Sequence, residues 1–355
     1  MKYLSIISVI LISFSALSCK KIPAVEVDVP QRIEFTPQVQ SKTFISASSD
    51  AGFREGFGVF AQKADRTDGS VLSTTKPIMT NYKVKYDNGV WTYNLLEMPE
   101  QQDVYWTLGC DHYFLAVFPW ASDGSYTFAS NTCTFSTVET LNVTIPGTAT
   151  SYPSGSNVGK DIMYARHEEY YDKDSRPAPI VLNMKHALSA VSFVVRNASE
   201  NDIEKITNIR LTGLRTKATN LAIPRDKTKE PTMTLDLDSK GTYTFPNADG
   251  STTTPFLKVG DPNFKNLTVP DIIIPQEFAY LDDMALSLTV KFSGIAEAKK
   301  LTYKLNKVAV QQDVENKFRY LPGKHYKYKL QILNDYINCE VFVVDWIEDQ
   351  PIILN

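Results

Sequence analysis

The chain has 355 residues, with 37 basic and 40 acidic side chains, a net charge of −3 and 43% hydrophobic residues. That apolar content is enough for packed cores and excludes an intrinsically disordered chain. The mildly acidic balance excludes the basic surface that nucleic-acid binding needs, so no nucleic-acid partner is expected.

Lys2 precedes an apolar, serine-dotted run from Leu4 to Leu17, followed by Ser18 and Cys19. A basic start, a short apolar core and small residues before a cut make residues 1–18 a secretory signal peptide. Lys20 and Lys21 end the run before the ~20 apolar residues that a spanning helix needs. The cysteine at its end marks a lipoprotein signal, with Cys19 as the acylated, palmitate-bearing first residue of a tether over 19–31. Such a group anchors a protein to a membrane without spanning it. Ala16 stands where the strongest such signals have Leu, and an ordinary signal peptide with an incidental cysteine is the alternative.

A first β-sandwich is expected over 32–175. Arg32–Thr36 alternates and reads as a short strand, Ser41–Gly52 as a loop, and Gly56–Gln62 as a strong strand. Asn81–Tyr93 reads as a hairpin: Tyr82, Val84 and Tyr86 face in, and Asn88-Gly89 supplies the positive φ of a tight turn. His112–Phe118 is a buried strand closed by Pro119, and Tyr126–Phe135, Leu141–Ile145 and Asp161–Ala165 follow. Short strands separated by turn residues point to a sandwich. The charged, proline-bearing segment Arg166–Pro179 then reads as a boundary.

Ile180–Arg196, apolar on both faces, is expected to open a second β-sandwich over 180–355 as its inner core strand. Ile203–Thr212, Asn220–Ile223 and Thr232–Leu237 read as strands, and Thr242–Thr254 as a polar excursion. Asp271–Gln276 is a short strand interrupted by Pro275. Met284–Phe292 and His325–Leu333 alternate as half-buried antiparallel strands do. Asn338–Trp346 is the last strong strand.

No catalytic constellation appears. His112, His167, His186 and His325 are scattered and lack metal-ligand spacing, so structural roles are expected. No phosphate-cradling glycine loop or nucleophile elbow occurs. Neither a cofactor nor a metal is expected, and the chain reads as a non-enzyme. Apart from Cys19 there are three cysteines. Cys110 and Cys133 either pair, leaving Cys339 free, or all three are buried thiols.

KHALSAVSFVV (Lys185–Val195), FGVFAQ, NYKVKYDNGVWTY followed by HYFLAVFPW, and PGKHYKYKLQI with VFVVDW occur in an order that resembles the fimbrillin family, the Mfa-like type V pilins of Bacteroidales. The resemblance implies an all-β fold of two tandem transthyretin-like β-sandwich domains after a lipoprotein signal peptide. It implies a subunit of cell-surface fimbriae, exported to the outer membrane as a lipoprotein and acting in adhesion. Its partners would be other fimbrial subunits, self or related, the outer membrane through its lipid anchor, and host or bacterial surface ligands. In polymerising members an Arg/Lys-specific protease removes the first strand, and a strand of another subunit fills the groove. Carried onto this chain, the removable strand is Arg32–Thr36 and the cut falls after Lys42 or, second, after Arg54. Ile347–Asn355, with Ile352, Ile353 and Leu354, is the candidate donor unless it completes its own sheet. The other functional reading is a non-polymerising, lipid-anchored protein that binds carbohydrate through Trp91, Trp106 and Trp120. A flat exposed row of these rings would favour it.

Overall fold

A computed structural model describes residues 30–39, 51–67, 70–71, 75–139, 161–172, 174, 178–245, 257–268, 271–278, 284–305 and 318–345. The first part of the chain runs β1 (Phe35–Val39), α1 (Ala51–Arg54), β2 (Phe57–Thr67), β3 (Ser70–Val71), β4 (Lys76–Asp87), β5 (Val90–Thr92), β6 (Cys110–Phe118), β7 (Tyr126–Ala129), β8 (Thr132–Phe135), β9 (Val138–Glu139), β10 (Met163–Tyr171) and β11 (Ile180–His186). The second part runs β12 (Ser189–Asn197), β13 (Ile203–Arg215), β14 (Lys217–Pro224), β15 (Thr232–Leu235), β16 (Lys240–Phe245), β17 (Lys265–Asn266), β18 (Asp271–Ile273), β19 (Gln276–Phe278), β20 (Ala285–Phe292), β21 (Lys299–Lys304), β22 (Phe318–Tyr320), β23 (Lys324–Ile332) and β24 (Ile337–Asp345). Among the described residues the fold is all-β apart from the single turn of α1.

The first sheet has the order β1-β11-β10-β6-β2-β4-β5, with β3 beside β2. Its centre is β6, nearly all of whose side chains are buried, as a strand covered on both faces requires. The Asn88-Gly89 turn joins β4 to β5 with φ of 47° and 90° and pairs Asp87 with Val90. Two positive φ values match the twist of the flanking strands. Ser130-Asn131 does the same between β7 and β8. β1 and β5, the two ends of the order, lie close together. The sheet therefore curls around a first core that includes Phe35, Phe57, Phe114, Leu182 and Met184.

A second core lies between two further sheets, β17-β12-β23-β24 and β16-β13-β20-β21. Phe193, Leu211, Leu288 and Tyr328 are among its buried members. β12 runs parallel to β23, and β23 pairs with β24 from Lys324↔Asp345 to Ile332↔Ile337.

A third core sits between these two. The order β15-β14-β8-β7, with β9 beside β14, builds one sheet from strands of both parts of the chain. Leu221 pairs with Phe135, Ile223 with Cys133 and Ala218 with Val138. Phe60, Leu115 and Val117, from the face of the first sheet turned away from the first core, pack with Leu188, Ala190, Leu221 and Ile223.

Several expectations change. The run Ile180–Arg196 is two strands in two sheets: β11 belongs to the first sheet, and β12 opens the next after Ala187 and Leu188. Arg166–Tyr171 continues β10 instead of leaving the sheet, paired with β6 up to Tyr171↔Cys110. Apart from the exposed Glu168, its charges lie at half-buried positions. The Arg166 guanidinium lies over Tyr164 (4.9 Å), Arg66 lies over Tyr170 (4.2 Å), and His167 meets Glu169 at 3.0 Å. The Thr242–Thr254 excursion begins as β16, where Tyr243 and Phe245 are buried. Leu141–Ile145 lies outside the described residues. Cys110, Cys133 and Cys339 are free, buried thiols.

Candidate assembly site at the first strand

The segment from Arg32 to Gln38 alternates in burial: Ile33, Phe35 and Pro37 are buried, whereas Glu34, Thr36 and Gln38 are exposed. A period of two puts one side of the strand into the first core. Phe35 meets Tyr93 (6.1 Å) and Phe114 (5.9 Å) edge to face. β1 begins at Phe35, later than the strand expected at Arg32–Thr36, because the preceding residues pair with a different partner.

That partner is the stretch 103–106. Ile33 N–H donates to Val104 O (2.8 Å), Trp106 N–H donates to Gln31 O (2.9 Å), and Arg32 and Tyr105 form an antiparallel bridge. From Glu34 onward the strand turns to β11: Ile180 N–H donates to Glu34 O (2.8 Å), and the parallel register runs from Phe35↔Ile180 to Val39↔Met184. β11 pairs with β10 only at His186↔Met163 and Lys185↔Tyr164. Among the described residues, β1 is therefore the one strand paired with Ile180–Met184. The first strand bridges the β11 edge of the sheet and the stretch 103–106, which forms the other margin of the slot, and plugs the core between them. Burying Ile33 and Phe35 contributes about 1.5–3 kcal/mol each as an upper bound.

The end of this slot is polar. Arg32 Nε lies 2.7 Å from an Asp103 carboxylate oxygen, and both side chains are about one-third exposed. The Arg32 guanidinium sits 4.5 Å above the Tyr93 ring. The Tyr93 hydroxyl donates to Ile33 O (2.9 Å) and accepts from Val104 N–H (3.3 Å). Burial raises the pKa of that phenol; as an un-ionised hydroxyl at neutral pH it can donate. Tyr93 thus links the strand to the 103–106 margin. Sequence reading placed Tyr93 only at a hairpin end and missed Asp103. A lone Asp-Val-Tyr-Trp stretch carries no pattern that matches it to Arg32.

Of the residues expected to act here, Cys19, Lys42, Ile352, Ile353 and Leu354 lie outside the described residues. Arg54 is the last residue of α1. Its guanidinium lies over Tyr86 (4.8 Å), and the adjacent Phe53 is fully buried. The three tryptophans do not form a row. Trp106 is in the first core, 4.8 Å from His112. Trp91 packs on Phe53, Phe57 and Tyr86. Trp120 donates from Nε1 to Asn81 O and lies under Lys83.

The histidines have local partners. His112 Nε2 accepts from Thr107 N–H (3.2 Å), and burial lowers the ring's pKa to about 4. His186 meets Asp161 at 2.6 Å, and His325 meets Ser192 at 2.8 Å. Among the described residues, no group of three or more His, Cys, Asp or Glu side chains is placed to hold a metal ion. No described helix is long and apolar enough to cross a membrane.

A family model described as fimbrillin-like matches residues 47–346. The chain belongs to the fimbrillin-like family. The matched span covers the body of the chain and leaves out both β1 and the residues after 346, so the geometry of the first strand is a separate observation. A fimbrial protein of Bacteroides vulgatus is similar to this fimbrillin-like chain at 14% identity, over 89% of this chain and 99% of that one, with a TM-score of 0.54. A candidate cell adhesion protein of Bacteroides uniformis is similar at 16% identity, over 89% and 98%, with a TM-score of 0.50. At such identities the likeness is one of fold. A comparison with curated protein sequences finds no match.

Proposed function

We propose that this fimbrillin-like chain is a subunit of a cell-surface fimbria that assembles by exchanging its first strand. The observation that carries the reading is β1, which plugs the first core with Ile33, Phe35 and Pro37 and is the one described strand paired with Ile180–Met184. Its removal leaves a row of unpaired backbone groups beside apolar pockets. A strand from another subunit satisfies both, through main-chain hydrogen bonds and alternating side chains. Head-to-tail addition of this kind does not close on itself and gives a filament.

Release requires a cut between β1 and β2. Lys42 lies in that connection and is the favoured site. Cutting after Arg54 requires α1 to unwind and the guanidinium to leave Tyr86, so it ranks second. Cys19 is the lipid attachment point for export to the outer membrane, and Ile347–Asn355, with Ile352, Ile353 and Leu354, is the segment offered to a neighbour. Adhesion to host or bacterial surfaces is the role of the assembled fibre. The separated positions of Trp91, Trp106 and Trp120 give the sugar-platform reading no support.

N-terminal sequencing of surface-exposed, assembled protein tests the reading. The expected end is Thr43 or Glu55. An end at Cys19 in assembled fibres, with β1 retained, overturns strand exchange at this slot. Replacing Cys19 with Ser is expected to release the protein from the membrane fraction, and unchanged retention rules out anchoring there.

A further inference from the structure

Resting on the strand-exchange reading above, we infer that the slot selects its incoming strand by charge: Tyr93 and Asp103 form a cation-reading subsite that takes a strand carrying Lys or Arg at that end and disfavours the 346–355 segment of a copy. In the present state Arg32 fills the subsite, with its charge 2.7 Å from Asp103 and its guanidinium plane over Tyr93. Both partners belong to the body and stay behind when the first strand leaves. Within the body, Tyr93 packs on Tyr82 (5.9 Å between ring centres) and its carbonyl accepts from Gln101 Nε2 (2.8 Å). Asp103 is held on the margin that pairs with residues 31–33.

An occupant that lacks a cation leaves the one-third-exposed Asp103 carboxylate without its counter-charge and the Tyr93 ring without its cation. An acidic occupant adds direct repulsion. The resident strand states the full specification: a cation at Arg32, then apolar side chains at the positions of Ile33, Phe35 and Pro37, with polar residues between. The candidate donor at the other end of this chain does not meet it. Residues 346–355, WIEDQPIILN, contain no Lys or Arg and carry Glu348 and Asp349. The mismatch holds whether the tail runs parallel or antiparallel to β11, because no cation is available at either end. The 346–355 segment of a copy is therefore a poor occupant of this slot, and a strand with a basic residue at the Asp103 end is a good one.

The test uses the full chain with a site-specific protease sequence placed between residues 40 and 50. The chain is cut and exchanged against labelled peptides, and binding is followed by fluorescence anisotropy. The peptides carry the sequence 30–39, its Arg32→Met and Arg32→Glu forms, and the sequence 346–355. The native peptide is expected to bind about five- to tenfold more tightly than the Arg32→Met peptide, as an ion pair plus a cation–π contact at partial exposure supplies. The Arg32→Glu peptide and the 346–355 peptide are expected to bind more weakly still. The Arg32 advantage should shrink at high salt. On an Asp103→Lys chain the order of the Arg and Glu peptides should reverse, and the peptide series on the unmutated slot stands even if that variant folds poorly. Equal binding of the Arg32 and Arg32→Met peptides overturns the subsite and leaves strand exchange intact. Failure of the native peptide to replace the cut strand overturns strand exchange and the subsite together.

Discussion

Two of the pairings that join segments far apart in the chain are β1 with β11 and β8 with β14. In register length they are close, with five rungs from Phe35↔Ile180 to Val39↔Met184 and four from Leu221↔Phe135 to Pro224↔Thr132. They differ in what holds them. β8 is one arm of a hairpin with β7 and packs against buried residues of both parts of the chain. β1 is not an arm of a hairpin among the described residues, includes Pro37, which has no N–H to give, and is followed in sequence by residues 40–50 before α1 and β2. A single cut in that connection severs its covalent link to the sheet it closes. If strand exchange operates here as proposed, detachability is set by connectivity more than by the strength of pairing: a core-plugging strand can leave when one cleavage frees it.

The sharpest way to break this comparison is at the plug. Phe35→Ala should lower the stability of the uncut chain by about 3–5 kcal/mol, the usual cost of removing a buried aromatic ring. Urea unfolding measures this, and a loss under about 1 kcal/mol means that β1 does not fill the core. Next is the shared sheet. Leu221→Ala should cost about 2–5 kcal/mol and should split a single unfolding transition into two. A variant that still unfolds in one step argues that the third core does not couple its neighbours.

Acid should act on the two regions with opposite sign. His112, which holds the Thr107 amide beside the 103–106 margin, has its pKa lowered from 6.5 to about 4 by burial. The unfolded chain takes up that proton first. The stability it contributes is therefore complete above pH 6.5 and is lost as pH falls toward 4. Asp271, on β18, has its pKa raised from 3.8 to about 6 by burial. Its contribution is complete below pH 3.8 and is lost as pH rises through 6. Stability measured from pH 4 to 7 in a His112→Gln chain should lose the rising component, and an unchanged slope removes His112 from the account. The smallest effect is at the opposite end of the first sheet. Gly89→Ala, at φ of 90°, should cost about 1 kcal/mol without changing exchange at β1, and differential scanning calorimetry together with the peptide assay would show both.

Much of the fold was legible because local rules decide it. The Asn88-Gly89 hairpin, the apolar run of β6 and the alternation of β20 and β23 all read directly. Pairing was not legible. β11 and β12 are contiguous in sequence and similar in character, yet Ala187 and Leu188 pass the chain from one sheet to another, and no composition change marks the crossing. Arg166–Tyr171 looked like a linker because its charges outnumber its apolar residues, although aromatic rings and opposite charges lie alongside them. The polar residues around Tyr243 and Phe245 hid a two-residue period. At the site, Arg32–Thr36 was recognisable as a strand, but the identity of its neighbours was not, since margins are chosen by tertiary contacts and not by pattern. Asp103 has meaning only once Arg32 is seen beside it.

The shared sheet bears on how such a subunit can be taken apart or recombined. β7 and β8 come from one part of the chain and β14 and β15 from the other, with Phe135, Cys133, Leu221 and Ile223 buried between them. Splitting the gene between β11 and β12 would strip both fragments of a common apolar wall. Chimaeras with relatives should tolerate junctions only when both hairpins travel together. Natural exchange of segments among such genes is constrained in the same way, so diversity is expected to accumulate in loops and at the margins of the sheets before it reaches this seam.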